Sequence, residues 1–145
     1  MTLNVSRKQN AAHDLSALPT AFRQVELWAN GGKWNNITLN TSNNVVVRQG
    51  TPQWFLDPFG FVHLRGSIQV NQSLSVAFIN VASIPSASAN PTFTEFGPIL
   101  QNGSQMGQVI VIPGASGPTI QLLPSASLSS GSFWSFFSMS WSTFK

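Results

Sequence analysis

The chain contains no cysteine and no tyrosine, and its 145 residues include only four carboxylates, two histidines and seven Lys and Arg. Without thiols there is no disulfide frame and no thiolate metal site, and the redox compartment leaves no trace in the sequence. The acids are Asp14, Glu26, Asp57 and Glu95. A glycosidase needs two carboxylates on facing elements. Asp14 lies near the N-terminus and Asp57 in a turn, so Glu26 with Glu95 is the pair left in the body. His13 and His63 have no metal-binding companions at useful spacing. Asn30-Gly31-Gly32-Lys33 has neither P-loop nor dinucleotide spacing. The expectation is a protein that is not an enzyme, with no catalytic, cofactor-binding or metal-ligating residue and no cofactor. No apolar run approaches the roughly 18 residues that span a bilayer, so membrane insertion is not expected. The N-terminus lacks the basic-then-apolar order of a signal peptide, and synthesis in a cytoplasm is expected.

Charge is scarce in a patterned way. Charged residues make up 8% of the chain, against about 25% in an average soluble domain. From Gly66 to Phe144 the only charged side chain is Glu95. Free-standing domains keep themselves dispersed with mixed surface charge, so a surface of Ser, Thr, Asn and Gln points to a chain that packs against copies of itself. The formal charge of +3 does not read as a nucleic-acid footprint. Arg7, Lys8 and Arg23 cluster near the N-terminus, Lys33, Arg48, Arg65 and Lys145 are scattered, and no face gathers them to neutralise several phosphates together.

What is present is mostly β-pattern. Asp57-Pro58-Phe59-Gly60 has turn chemistry: the aspartate can bond backbone ahead of it, the proline presets φ, and the glycine accepts the last position. The strand after it sorts its residues with period two. Val62, Leu64, Gly66, Ile68 and Val70 fall on an apolar face, and Phe61, His63, Arg65, Ser67 and Gln69 fall on the other. Further strands are predicted over 25–28, 34–39, 45–48, 53–56, 74–81, 108–112, 119–123 and 133–141, separated by turn residues, which is the spacing of an all-β sandwich or barrel. Val109 to Ile112 is apolar on both faces and should be covered on both sides. Residues 82–107, with Pro85, Pro91 and Pro98, and residues 124–132 read as irregular. Residues 10–18 can form one or two helical turns ending before Pro19.

The segment 53–66, Gln-Trp-Phe-Leu-Asp-Pro-Phe-Gly-Phe-Val-His-Leu-Arg-Gly, together with Trp34-Asn35-Asn36-Ile37-Thr38-Leu39, resembles the C-terminal β-domains of bacteriophage tail fibres and receptor-binding proteins. In those proteins a turn containing Asp and Gly leads into a strand reading Val-His-Leu-Arg-Gly. The match covers about residues 34 to 70 and marks a fold rather than a chemistry. It implies an antiparallel, jelly-roll-like sandwich or barrel, threefold self-assembly and a place on the surface of a virion, on tail or capsid.

On this reading residues 1–24 are an extended arm that docks on other virion proteins through Arg7, Lys8, Leu15, Leu18 and Arg23. Residues 25–145 are a β-domain for oligomerisation and display. The aromatic C-terminal strand would be an aggregation hazard if bare, so Phe133, Trp134, Phe136, Phe137 and Trp141 are expected at the subunit interface, with His63 and Arg65 beside them. Trp54 is the candidate glycan contact. The expected role is a trimeric, tail-fibre-like knob that attaches to a host cell-surface glycan or protein. The alternative is a capsid decoration or cement protein, suggested by the absence of a fibre shaft ahead of the β-domain.

Overall fold

The computed structural model describes residues 33–136 and 139–144, and within it residues 34–145 form one compact unit. The expected arm and the strand predicted over 25–28 lie outside the described residues.

Ten strands are present among the described residues: β1 (Asn35–Asn36), β2 (Thr38–Leu39), β3 (Val45–Leu56), β4 (Phe61–Val70), β5 (Ile79–Ser83), β6 (Glu95–Gln101), β7 (Gln105–Ile112), β8 (Thr119–Leu123), β9 (Ser132–Ser135) and β10 (Ser140–Ser142). Their hydrogen-bonded order is β1-β3-β4-β9-β6-β7-β8-β5-β2, with β10 also on β4, and the pairings between strands are antiparallel. The two ends of this path, β1 and β2, are separated in sequence by Ile37 alone. That short segment pairs with β3 at one end and with β5 at the other, which nearly closes the sheet into a barrel. Ile37 is buried, and its N–H donates to the Pro52 carbonyl at 3.0 Å. A closed sheet leaves few bare edges, which a chain this poor in charge could not otherwise protect.

The predicted all-β class stands, and the strands of 61–70 and 119–123 form over those residues. On β4 the apolar set Val62, Leu64, Ile68 and Val70 is buried as its period requires. β7 is covered on both sides at Val109, Ile110 and Val111, and it sits inside the sheet order between β6 and β8. Other expectations differ from the structure. The runs 45–48 and 53–56 are one strand, because the Gly50-Thr51-Pro52 interruption is absorbed as a bulge opposite Gly66. Strand 74–81 shrinks to a single bridge between Leu74 and Leu128, and β5 begins only at Ile79. Residues 82–107, read as irregular, contain β6. Gly97 and Pro98 conceal it, since proline in a strand is confined to positions whose N–H the ladder does not need.

The C-terminal strand predicted over 133–141 is two strands. Met139 N–H donates to the Phe136 carbonyl at 3.2 Å, and the in–out parity of β9 is not kept in β10. Trp134, Phe136 and Trp141 therefore all point into the barrel, exposed by 0%, 0% and 5%, although 134 and 141 differ in parity. Trp141 Nε1 donates to the Ala89 carbonyl at 2.8 Å.

Candidate functional site

The Asp57–Gly60 turn anchors one end of the site. Gly60 N–H donates to the Asp57 carbonyl at 3.1 Å, and the Phe59 and Phe61 N–H groups donate to Asp57 Oδ1 at 2.8 and 2.9 Å. The second carboxylate oxygen is left for His63 Nε2, 2.8 Å away. Burial alone would raise the Asp57 pKa. The His63 hydrogen bond, the two backbone donors and the histidine charge outweigh it and hold the carboxyl below its ordinary value. A depressed folded-state pKa stabilises the fold above the unfolded value, and that contribution is lost as pH falls through the folded one. Wild-type protein should therefore lose stability in acid, and Asp57→Asn should flatten that limb; urea midpoints taken from about pH 5 to pH 2 check this. A wild-type midpoint that did not move across that range would contradict it.

From this anchor a ladder of outward-facing side chains runs along β4 and β3. The His63 ring stacks on Phe55 at 6.1 Å, and Phe55 meets Trp34 at 5.6 Å. The Arg65 guanidinium lies 4.1 Å from the Trp34 ring centroid. Arg65 Nε donates to Gln53 Oε1 at 2.9 Å and Nη2 donates to the same oxygen, while Gln53 Nε2 donates to Asn36 Oδ1 at 3.1 Å. Each long side chain is thus held by a neighbour, which lowers the rotamer entropy lost on engaging a ligand.

Beside the ladder the bulge opens a cleft of about 600 Å³. On the β4 side the register advances from Ser67 to Arg65 while β3 advances from Gln49 to Gln53, so β3 carries two extra residues opposite Gly66. Gly50, at φ 65°, and Gly66, at φ 97°, supply the left-handed backbone that this requires. Ser67 Oγ donates to the Gln49 carbonyl at 3.0 Å and fixes the cleft floor. Arg48 and Arg65 stand on its walls, with the Arg48 guanidinium 3.2 Å over the Phe133 ring. The lining carries two arginines, amides and hydroxyls but no carboxylate. It can donate hydrogen bonds to hydroxyl, carbonyl or acidic oxygens beside an aromatic surface. A second cleft of about 650 Å³, around Ser88, Asn90, Thr92 and Thr143, has no charged group.

The sequence-predicted residues divide. His63 and Arg65 face outward in the ladder, and Phe133 is half-buried under Arg48. Trp134, Phe136 and Trp141 are corrected from interface to core, because the barrel interior already encloses them. Trp54 is corrected likewise: it is 8% exposed and packs in the core, while its neighbours Gln53 and Phe55 face outward, so it is not a glycan contact. Phe137 and the arm residues Arg7, Lys8, Leu15, Leu18 and Arg23 lie outside the described residues, as does Glu26. Of the carboxylates among the described residues, Asp57 has both oxygens engaged in the turn and Glu95 is exposed at the start of β6. Among the described residues no group of three or more His, Cys, Asp or Glu is placed to hold a metal ion. Likewise none of their helices is long and apolar enough to cross a membrane. Arg48, Gln49 and Gln53 were missed from sequence. The available signal was Gly66, an isolated glycine inside a strand pattern, which marks a bulge or a close backbone approach.

No family model matches this sequence, and the curated proteins yield no significant match. Among solved structures the chain is similar to the head domain of the lactococcal phage bIL170, a structure discussed in terms of a common fold for the receptor-binding domains of lactococcal phages. The similarity has a TM-score of 0.52 at 19% identity, and it covers 77% of this chain and 98% of that one. The likeness is one of fold. It takes in nearly the whole of the bIL170 head-domain chain.

Proposed function

We propose that this protein is a non-enzymatic bacteriophage virion component whose barrel is an attachment head, and that the cleft between the β3 bulge and β4 reads a host-surface glycan or protein. The observation that carries the reading is the likeness to a phage head domain over 98% of that domain's length. The cleft adds a concave surface with aromatic and guanidinium groups held in place before any ligand arrives. In this reading the head is a homo-oligomer, threefold by the resemblance around residues 34 to 70, docked on other virion proteins by residues 1–24. Many weak sites on one particle then give an avidity that no single cleft supplies. Nothing in the barrel or in the comparisons favours a shell-decorating role over this one, and we do not propose it.

The test is binding of the purified protein to host cell envelopes. Arg48→Ala and Arg65→Ala should each weaken binding about tenfold or more, as loss of a central arginine contact does, with bound envelope polysaccharide recovered uncleaved. Wild-type affinity in both variants would remove the cleft from the proposal, and release of sugar would overturn the non-enzymatic part.

A further inference from the structure

The outer face of β6 and β7 carries apolar side chains that the barrel does not cover. On β6, Ile99 and Gln101 point inward and are buried, and so do Val109 and Val111 on β7. The alternate residues Phe96, Pro98 and Leu100 point outward. Their cross-strand partners are Ile110, Gln108 and Met106, in that order. Phe96 is 62% exposed, Met106 55% and Leu100 39%, with Pro98 exposed between them. At the Phe96 end the face meets Ile110, which is already buried. No charged side chain lies on this face, and Glu95, the only one between Gly66 and Phe144, stands at its margin.

We infer that the outer face of β6 and β7 is the surface through which copies of this chain pack together. This deepens the oligomeric part of the function proposed above and rests on it; host binding is a separate claim. Three observations select a second copy as the occupant. Soluble monomers rarely leave contiguous apolar patches beyond a few hundred Å² uncovered, and four adjacent side chains this exposed reach on the order of that limit. Interfaces between stable partners bury roughly 800 Å² a side around an apolar centre of this kind, with charged residues depleted from it. A face without charge also has nothing to match against the charged surface of an unrelated partner, whereas it complements itself and desolvates no ion on closing. Trp134, Phe136 and Trp141, expected to do this from the sequence, are inside the barrel.

The full chain, of 15.7 kDa, should run in light scattering at micromolar concentration as a multiple of that mass. Met106→Glu, which sets a carboxylate in the middle of the face, should run as a single chain with its circular dichroism unchanged. Val76→Glu, at another exposed apolar position 57% accessible, should keep the wild-type mass. If Met106→Glu fails to fold, Phe96→Ser on the facing strand carries the same test. A monomeric wild type overturns the proposal. So does a wild-type mass in folded Met106→Glu, or a loss of assembly in Val76→Glu equal to that in Met106→Glu. Envelope binding measured on the same samples keeps the two claims apart: a monomer that still binds through its cleft leaves attachment standing.

Discussion

Gly66→Ala should cost about 3–5 kcal/mol, combining the strain of a forbidden backbone conformation with overpacking against neighbours that cannot move. Gly66 sits at φ 97°. An added Cβ would lie 2.8 Å from Pro52 Cα and 3.0 Å from both the Gly50 carbonyl oxygen and Pro52 N. Those atoms are backbone on the opposite strand, so no rotamer change relieves the contact. The damage spreads because both strands hold other elements at this point. The Gly66 carbonyl accepts from Phe136 N–H at 3.0 Å, fixing the segment after β9, and the Pro52 carbonyl accepts from Ile37 N–H, fixing the segment that nearly closes the barrel. A loss of this size is a large share of the roughly 5–15 kcal/mol that holds a typical domain together. Gly50→Ala is the internal control. Its φ is 65°, but a Cβ there meets nothing within 4 Å, so it should lose only about 1 kcal/mol. Urea unfolding of the two variants checks the pair, and equal midpoints would mean that the bulge does not bring the strands this close.

Trp134→Ala should cost about 3–5 kcal/mol, the range for emptying a large aromatic site in a core. The ring is fully buried. It lies over Gly107, where an added Cβ would come within 2.4 Å of it, and its strand bridges β4 at Ile68 and β6 at Gln101. Trp134→Phe should cost far less, because it keeps most of the apolar volume and removes an indole N–H that has no hydrogen-bond partner among the described residues. This pair separates the two places in which the side chain has been put. An interface residue cut to alanine leaves a stable, folded single chain. A core residue cut to alanine lowers the unfolding midpoint of the chain itself, at any protein concentration. A midpoint for Trp134→Ala that matched the wild type would return the residue to the subunit boundary.

Much of the fold was legible where one local rule governed it. The β4 pattern from Phe61 to Val70 was readable because a strand buried on one side alternates with period two, and one wrong residue would put the whole set on the wrong face. The Asp57–Gly60 turn was readable because proline and glycine restrict φ whatever surrounds them. β6 was hidden by Gly97 and Pro98, which break strand propensity locally but sit where pairing with β7 tolerates them. The cleft was half legible: Gly66 signalled a close approach, but which residues it would bring together depended on how far β3 slipped against β4.

The sequence by itself determined an all-β chain with almost no charge to keep it apart from its own kind, and it marked the turn and strand around His63. Those properties follow from composition, from φ limits and from side-chain alternation, each of which acts over a few residues. Only the tertiary structure decided what the aromatic C-terminus is for. The in–out parity of β9 is not kept in β10, so Trp134, Phe136 and Trp141 enter the barrel together, while Phe96, Leu100 and Met106 stay outside. Whether a large apolar side chain serves a core or a partner depends on which face it ends up on. That face is set only when distant strands pair around it.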